Sequence, residues 1–89
     1  MNEHAEYSVL LFEDDADHAA LTTATLAADS LRVWHVTHVD SLAAGLDTLR
    51  QGSWDCILLD LNIRDSNGLD TFHAVAEIAS NIPIIINSG

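Results

Sequence analysis

The sequence predicts an α/β fold, a parallel sheet with helices on both faces. Three observations predict it. Short apolar runs alternate with stretches of helical periodicity in the order β-α-β-α-β-α-β. The connections between them are short. The third apolar run, DCILLD at residues 55–60, is hydrophobic almost throughout. A strand covered on both faces reads that way, and alternating strands and helices close into a sheet by right-handed crossovers. The 89 residues make one domain, residues 1–89, with no room for a second core.

The first run, YSVLLF at residues 7–12, is continuous and apolar and is expected to form a buried strand. It stops at EDDAD, residues 13–17, whose acids suit the first turn of a helix. The alanine- and leucine-rich segment 16–28 is that helix. RVWHVTHV, residues 32–39, mixes β-branched and aromatic residues with polar ones, as an edge strand does. Asp40 or Ser41 can cap a second helix, in which Leu42, Leu46 and Leu49 recur at helical spacing. Gly52 is expected to close that helix in the left-handed conformation. After the third strand, a loop at 61–67 runs through the turn signal Asn67-Gly68 into a third helix. Leu69, Phe72, Val75, Ala76 and Ala79 mark its inner face. IPIIIN, residues 82–87, is the fourth strand, with Pro83 near its start, where a missing N–H is tolerated. The polar residues 1–6 are expected to be a loose tail.

Hydrophobic residues make up 48% of the chain, enough to fold despite a formal net charge of −11. Arg32, Arg50 and Arg64 are the only basic residues, and lysine is absent. A chain this acidic repels phosphate backbones and anionic lipid, so neither nucleic acid nor membrane is an expected partner. Its charge suits a cation or a basic protein. Cys56 stands alone in an apolar run and reads as an inert buried thiol. No apolar stretch is long enough to span a bilayer, and the start of the chain does not resemble a targeting peptide, so a cytoplasmic location is expected.

In open α/β sheets, sites form beyond the carboxyl ends of the strands. Glu13, Asp14 and Asp15 follow the first strand, Asp60 ends the third and Ser88 follows the fourth. Crowded carboxylates repel unless a cation joins them, and oxygen-only ligands favour a hard ion such as Mg²⁺. Read alone, the acids after the first strand are equally well explained as helix N-terminal charges; their pairing with Asp60 favours the cation.

VLLFEDDADH, CILLDLNIRDSNGLDTF and IPIIINSG together resemble the receiver domain of two-component response regulators, over almost the whole chain. The resemblance implies a flavodoxin-like sheet in strand order 2-1-3-4, ending before the family's last helix–strand–helix unit. It implies that Asp60 is the phospho-acceptor and that Mg²⁺ is held by Glu13, Asp14, Asp60 and the backbone carbonyl of Asn62. Ser88 becomes the switch hydroxyl, and a histidine kinase or phosphotransfer protein the donor. Two departures stand out. Arg64 occupies a position where the family often has proline. The lysine that ends the family's fifth strand has no counterpart, a loss of roughly 3 kcal/mol in transition-state stabilisation by analogy with other preorganised donors. A truncated sheet also leaves the fourth strand and first helix bare, so a homo-oligomer is expected through them.

Rival readings are a pseudo-receiver, an interaction or dimerisation module that never carries phosphate, and an aspartate-dependent phosphatase using Asp15-x-Asp17. The domain is expected to signal rather than to act as an enzyme. His35 and His38 are an odd number apart on one strand and so face opposite ways, which disfavours a shared metal. No Gly-rich phosphate loop follows the first strand. Trp34 and Trp54 are expected to pack rather than to stack on a ligand.

Overall fold

The computed structural model describes residues 5–87. Its elements run β1 (Ala5–Phe12), α1 (Ala16–Ala27), β2 (Arg32–Val39), α2 (Leu42–Gln51), β3 (Cys56–Leu59), α3 (Gly68–Ile78) and β4 (Ile84–Ile86). The strands form one parallel sheet in the order β2-β1-β3-β4, as expected.

Strand alternation divides the core. Leu10 and Phe12 of β1 share one face with Val39, Ile57 and Leu59, and there Leu49 of α2 and Val75 of α3 close over them. Val9 and Leu11 point the other way, and both are fully buried. On that side lies α1, whose Ala19 is its one buried residue. The helices thus cover both faces, as a sheet with apolar residues pointing both ways requires.

The helix starts follow capping chemistry. Asp15 caps α1, its carboxylate accepting from the N–H groups of Asp17 and His18. Ser41 caps α2 by accepting from Ala44 N–H. Gly68 begins α3 at φ +60, the left-handed conformation that a glycine adopts without strain.

Four expectations are corrected. β1 begins at Ala5, so Ala5 and Glu6, expected in a loose tail, pair with Arg32 and Val33. Gly52 is extended (φ −136, ψ −178), not left-handed, and the Trp54 ring lies against it. β4 is only three residues long, Ile84–Ile86. Leu69, expected on the inner face of α3, is 68% exposed. It lies about 120° round the helix from buried Val75, and Thr71 takes an inner position instead.

The aromatic expectations hold. Trp34 packs on Tyr7 with ring centroids 5.0 Å apart and donates from Nε1 to Asp29, while Trp54 packs against the core. His35 and His38 pair in register with Ser8 and Leu11, neighbours on opposite faces of β1.

Candidate functional site

The sheet register assembles the acids. Phe12 pairs with Leu59, so β1 and β3 end level. Glu13 N–H donates to Val39 O and Asp60 N–H to Phe12 O, which carries the pairing one residue past each strand. Glu13, Asp14 and Asp60 therefore meet, and each can offer a carboxylate oxygen within 4.8 Å of the others.

Their environments differ. Glu13 is 1% exposed, Asp14 and Asp60 partly so. One Glu13 oxygen, Oε2, accepts from Asp15 N–H at 3.2 Å. The other, Oε1, lies 2.8 Å from His18 Nδ1 but receives no aligned hydrogen bond. Burial, and then the neighbouring Asp60 carboxylate, push the Glu13 carboxyl above its ordinary value; Asp15 N–H and His18 oppose that rise. A buried acid with an orphaned oxygen beside two further carboxylates fits a hard divalent cation: the donors are all oxygen, and the ion would satisfy what the protein leaves unsatisfied.

That crowding should cost stability in cation-free protein. A carboxyl whose folded pKa is raised binds protons more readily in the folded chain than in the unfolded one. Stability then falls as pH rises through the ordinary value of 4.5 and on through the raised one. Glu13→Gln keeps an acceptor for Asp15 N–H and removes the charge. In EDTA at pH 7 the variant should be more stable than wild type by about 1 kcal/mol, a gain typical of relieving a strained functional site. Its advantage should shrink toward pH 4.5. Urea unfolding across pH reads both.

The loop after β3 is fastened at several points. Asn62 N–H donates to Asp60 Oδ1 at 2.9 Å. Ile63 and Ser66 exchange backbone hydrogen bonds. The Asp65 carboxylate accepts from the first N–H groups of α2, Leu42 at 2.6 Å and Ala43 at 3.0 Å, and these bonds hold its carboxyl below the ordinary range. Arg64 stands 3.6 Å from Asp40. These ties serve where a proline would stiffen the chain. An open depression beside the acids is lined by Asp14, Asn62, Arg64 and Asp70 among others.

Of the residues singled out from sequence, Glu13, Asp14 and Asp60 come together and Asn62 adjoins them. Ser88 lies outside the described residues. Asp15 caps α1 through Oδ1, the helix-start role that the sequence also allows it, and it does not join the cluster of Glu13, Asp14 and Asp60. Thr71 and Asp65 were missed. Thr71 carried one signal, a polar residue four positions before Val75 on an apolar stripe; Asp65 carried none, because its partners lie 22 and 23 residues back.

Comparison with known proteins agrees in extent and in fold. Residues 9–89 match the family model for the response regulator receiver domain. The chain is 35% identical over 81 residues to the cell cycle transcriptional regulator CtrA of Caulobacter vibrioides, covering 91% of this chain and 34% of that protein. It thus spans about a third of the length of the curated relatives it matches. The phosphorylated cyanobacterial phytochrome response regulator RcpA superposes with a TM-score of 0.81 at 25% identity, over 94% of this chain and 66% of that one. A chain in the complex of histidine kinase ThkA with response regulator TrrA shares the fold at a TM-score of 0.80 and 16% identity, over 93% and 69% of the two chains.

Proposed function

Because the chain belongs to the response regulator receiver family, whose domains serve phosphorelay signalling, we propose that it accepts a phosphoryl group on Asp60 with the help of Mg²⁺. One observation carries the reading: level strand ends gather Glu13, Asp14 and Asp60 within 4.8 Å.

Asp14, Asp60 and the Asn62 carbonyl would hold the ion, with Glu13 behind them. When bound, Mg²⁺ supplies positive charge against the oxygens of the transferring group. The chain's own residues do the rest. Asp60 presents a carboxylate whose Oδ1 is fixed by Asn62 N–H. An Asp60 oxygen forms the new bond to phosphorus while the donor's bond to phosphorus breaks, and that electron pair leaves with the donor atom. Ser88 reads the phosphoryl group. The donor is a histidine kinase or a phosphotransfer protein in the cytoplasm, a reading supported by the regulator–kinase complex of the ThkA–TrrA pair. Among the described residues, no helix is long and apolar enough to cross a membrane. Residues 1–89 act as one receiver unit. Since they contain no lysine, phosphorylation of the 89-residue chain is expected to be about a hundredfold slower than a site with a full set of cationic donors would allow.

The test is incubation with acetyl phosphate and Mg²⁺, followed by intact-mass measurement. A single added phosphoryl mass that requires Mg²⁺ is expected. No adduct at long times and high donor concentration sinks the proposal and leaves the pseudo-receiver.

Self-association belongs to the same reading. Among the described residues β4 is the outermost strand on its side of the sheet, with Ile85 51% exposed, and α1 presents Ala16, Ala20 and Ala24 around a shallow apolar depression. A sheet edge of this kind pairs with another chain. Light scattering at high micromolar concentration should give at least twice the monomer mass, more so at high salt, where the charge of −11 is screened. A clean monomer in high salt removes this part of the proposal.

A further inference from the structure

The peptide between Leu61 and Asn62 is held at both ends. Its N–H donates to Asp60 Oδ1 at 2.9 Å, and its carbonyl, Leu61 O, accepts from the Thr71 hydroxyl at 2.8 Å. Thr71 is 0% exposed, so no water competes for that bond. A peptide group is planar. Fixing the direction of its C=O therefore restricts where its N–H can point, and here the N–H points at the carboxylate of Asp60.

A second contact sets the direction of the chain of bonds. Thr71 Oγ1 also lies 2.7 Å from Ser66 Oγ. A hydroxyl has a single proton, and a carbonyl oxygen can only accept. The Thr71 proton therefore goes to Leu61 O, and Ser66 is the donor to Thr71. The series runs from the Ser66 hydroxyl to the Thr71 hydroxyl, through the Leu61–Asn62 peptide, to Asp60 Oδ1. Each bond in it polarises the next in the same sense.

We infer that Thr71 is a positioning residue for Asp60, acting through the Leu61–Asn62 peptide. It touches neither cation nor phosphoryl group. A buried threonine whose only task was to satisfy itself could bond to its own helix, as Thr25 does to Leu21 O four residues back. Thr71 instead reaches ten residues back, out of α3, to the residue that follows Asp60.

The inference rests on Asp60 being the acceptor, and the experiment separates the two. Thr71→Val keeps the shape and removes the donor; Thr71→Ser keeps the donor. With acetyl phosphate and saturating Mg²⁺, T71V should be phosphorylated about tenfold more slowly than wild type, a modest share of what misplacing a reacting group can cost. T71S should restore the rate. Independently of phosphorylation, the Asn62 amide proton in T71V should move upfield and exchange faster with solvent, and T71S should reverse both changes. A wild type that gains no phosphoryl mass refutes the acceptor reading while the amide measurements still decide the role of Thr71. A folded T71V with an unchanged Asn62 amide and unchanged rate overturns the inference. Should T71V not fold, T71C, whose thiol is a weak donor of similar size, takes its place.

Discussion

Asp60→Asn should abolish phosphorylation outright, from one phosphoryl group per chain to none. Asparagine keeps an acceptor for Asn62 N–H, which fixes the loop at 2.9 Å, so the backbone around the site should survive the change. What disappears is the nucleophile: an amide oxygen does not form a stable acyl phosphate. Glu13 is buried, and Asp15 lies at the start of α1 outside the cluster of Glu13, Asp14 and Asp60. The variant should also be more stable than wild type in EDTA, since one charge has left a crowded cluster. Intact mass reads the first outcome and urea unfolding the second. An adduct that persists in D60N would place the acceptor elsewhere, with Asp14 the next candidate.

Gly45→Ala should be the most damaging single methyl group in the chain. A Cβ at this position would overlap the Phe12 ring edge, colliding with Cε2 and standing only 2.6 Å from Cδ2. The helical context favours alanine by up to about 1 kcal/mol over glycine. The collision outweighs that preference because Phe12 is 0% exposed, between β1 and α2, and has no empty space to enter. Overpacking of this kind costs about 1–3 kcal/mol, occasionally more. We expect a net loss of about 2 kcal/mol and a fall in Tm of roughly 10 °C for a domain of this size. Phe12→Leu alone opens a cavity, yet combined with Gly45→Ala it should recover part of the loss, since the added methyl fills the space vacated by the ring. A G45A variant as stable as wild type would show that Phe12 can move, and that the upper core is looser than it stands.

These two sites illustrate what the amino-acid order discloses and what it conceals. Asp60 was legible because an apolar run that ends in a carboxylate can be read along the chain, and the level ends of β1 and β3 follow from parallel pairing. The element order and the packing roles of Leu49 and Val75 were legible for the same reason: periodicity is a local signal. The strand order is not local and came from the resemblance to the receiver family. Leu69 was misplaced because its apolarity suggested an inner position, whereas the turn of the helix sends it outward and brings Thr71 in. Gly52 was misread because a glycine after a helix suggests the left-handed conformation but equally permits the extended one it adopts here, with the Trp54 ring beside it. The fastening of the 61–67 loop could not be read at all. Asp65 has no local signature: its meaning lies at the start of α2, a partner only the folded sheet supplies.

The three acids come from the ends of two strands that are not consecutive in sequence, with the whole of α1, β2 and α2 threaded between them. No shorter excerpt of the chain can own this acidic cluster; it exists when the sheet exists and dissolves with it. If it takes the divalent cation proposed for it, only folded molecules would draw that ion, and by mass action the surrounding divalent concentration would become a dial on how much of the population is folded.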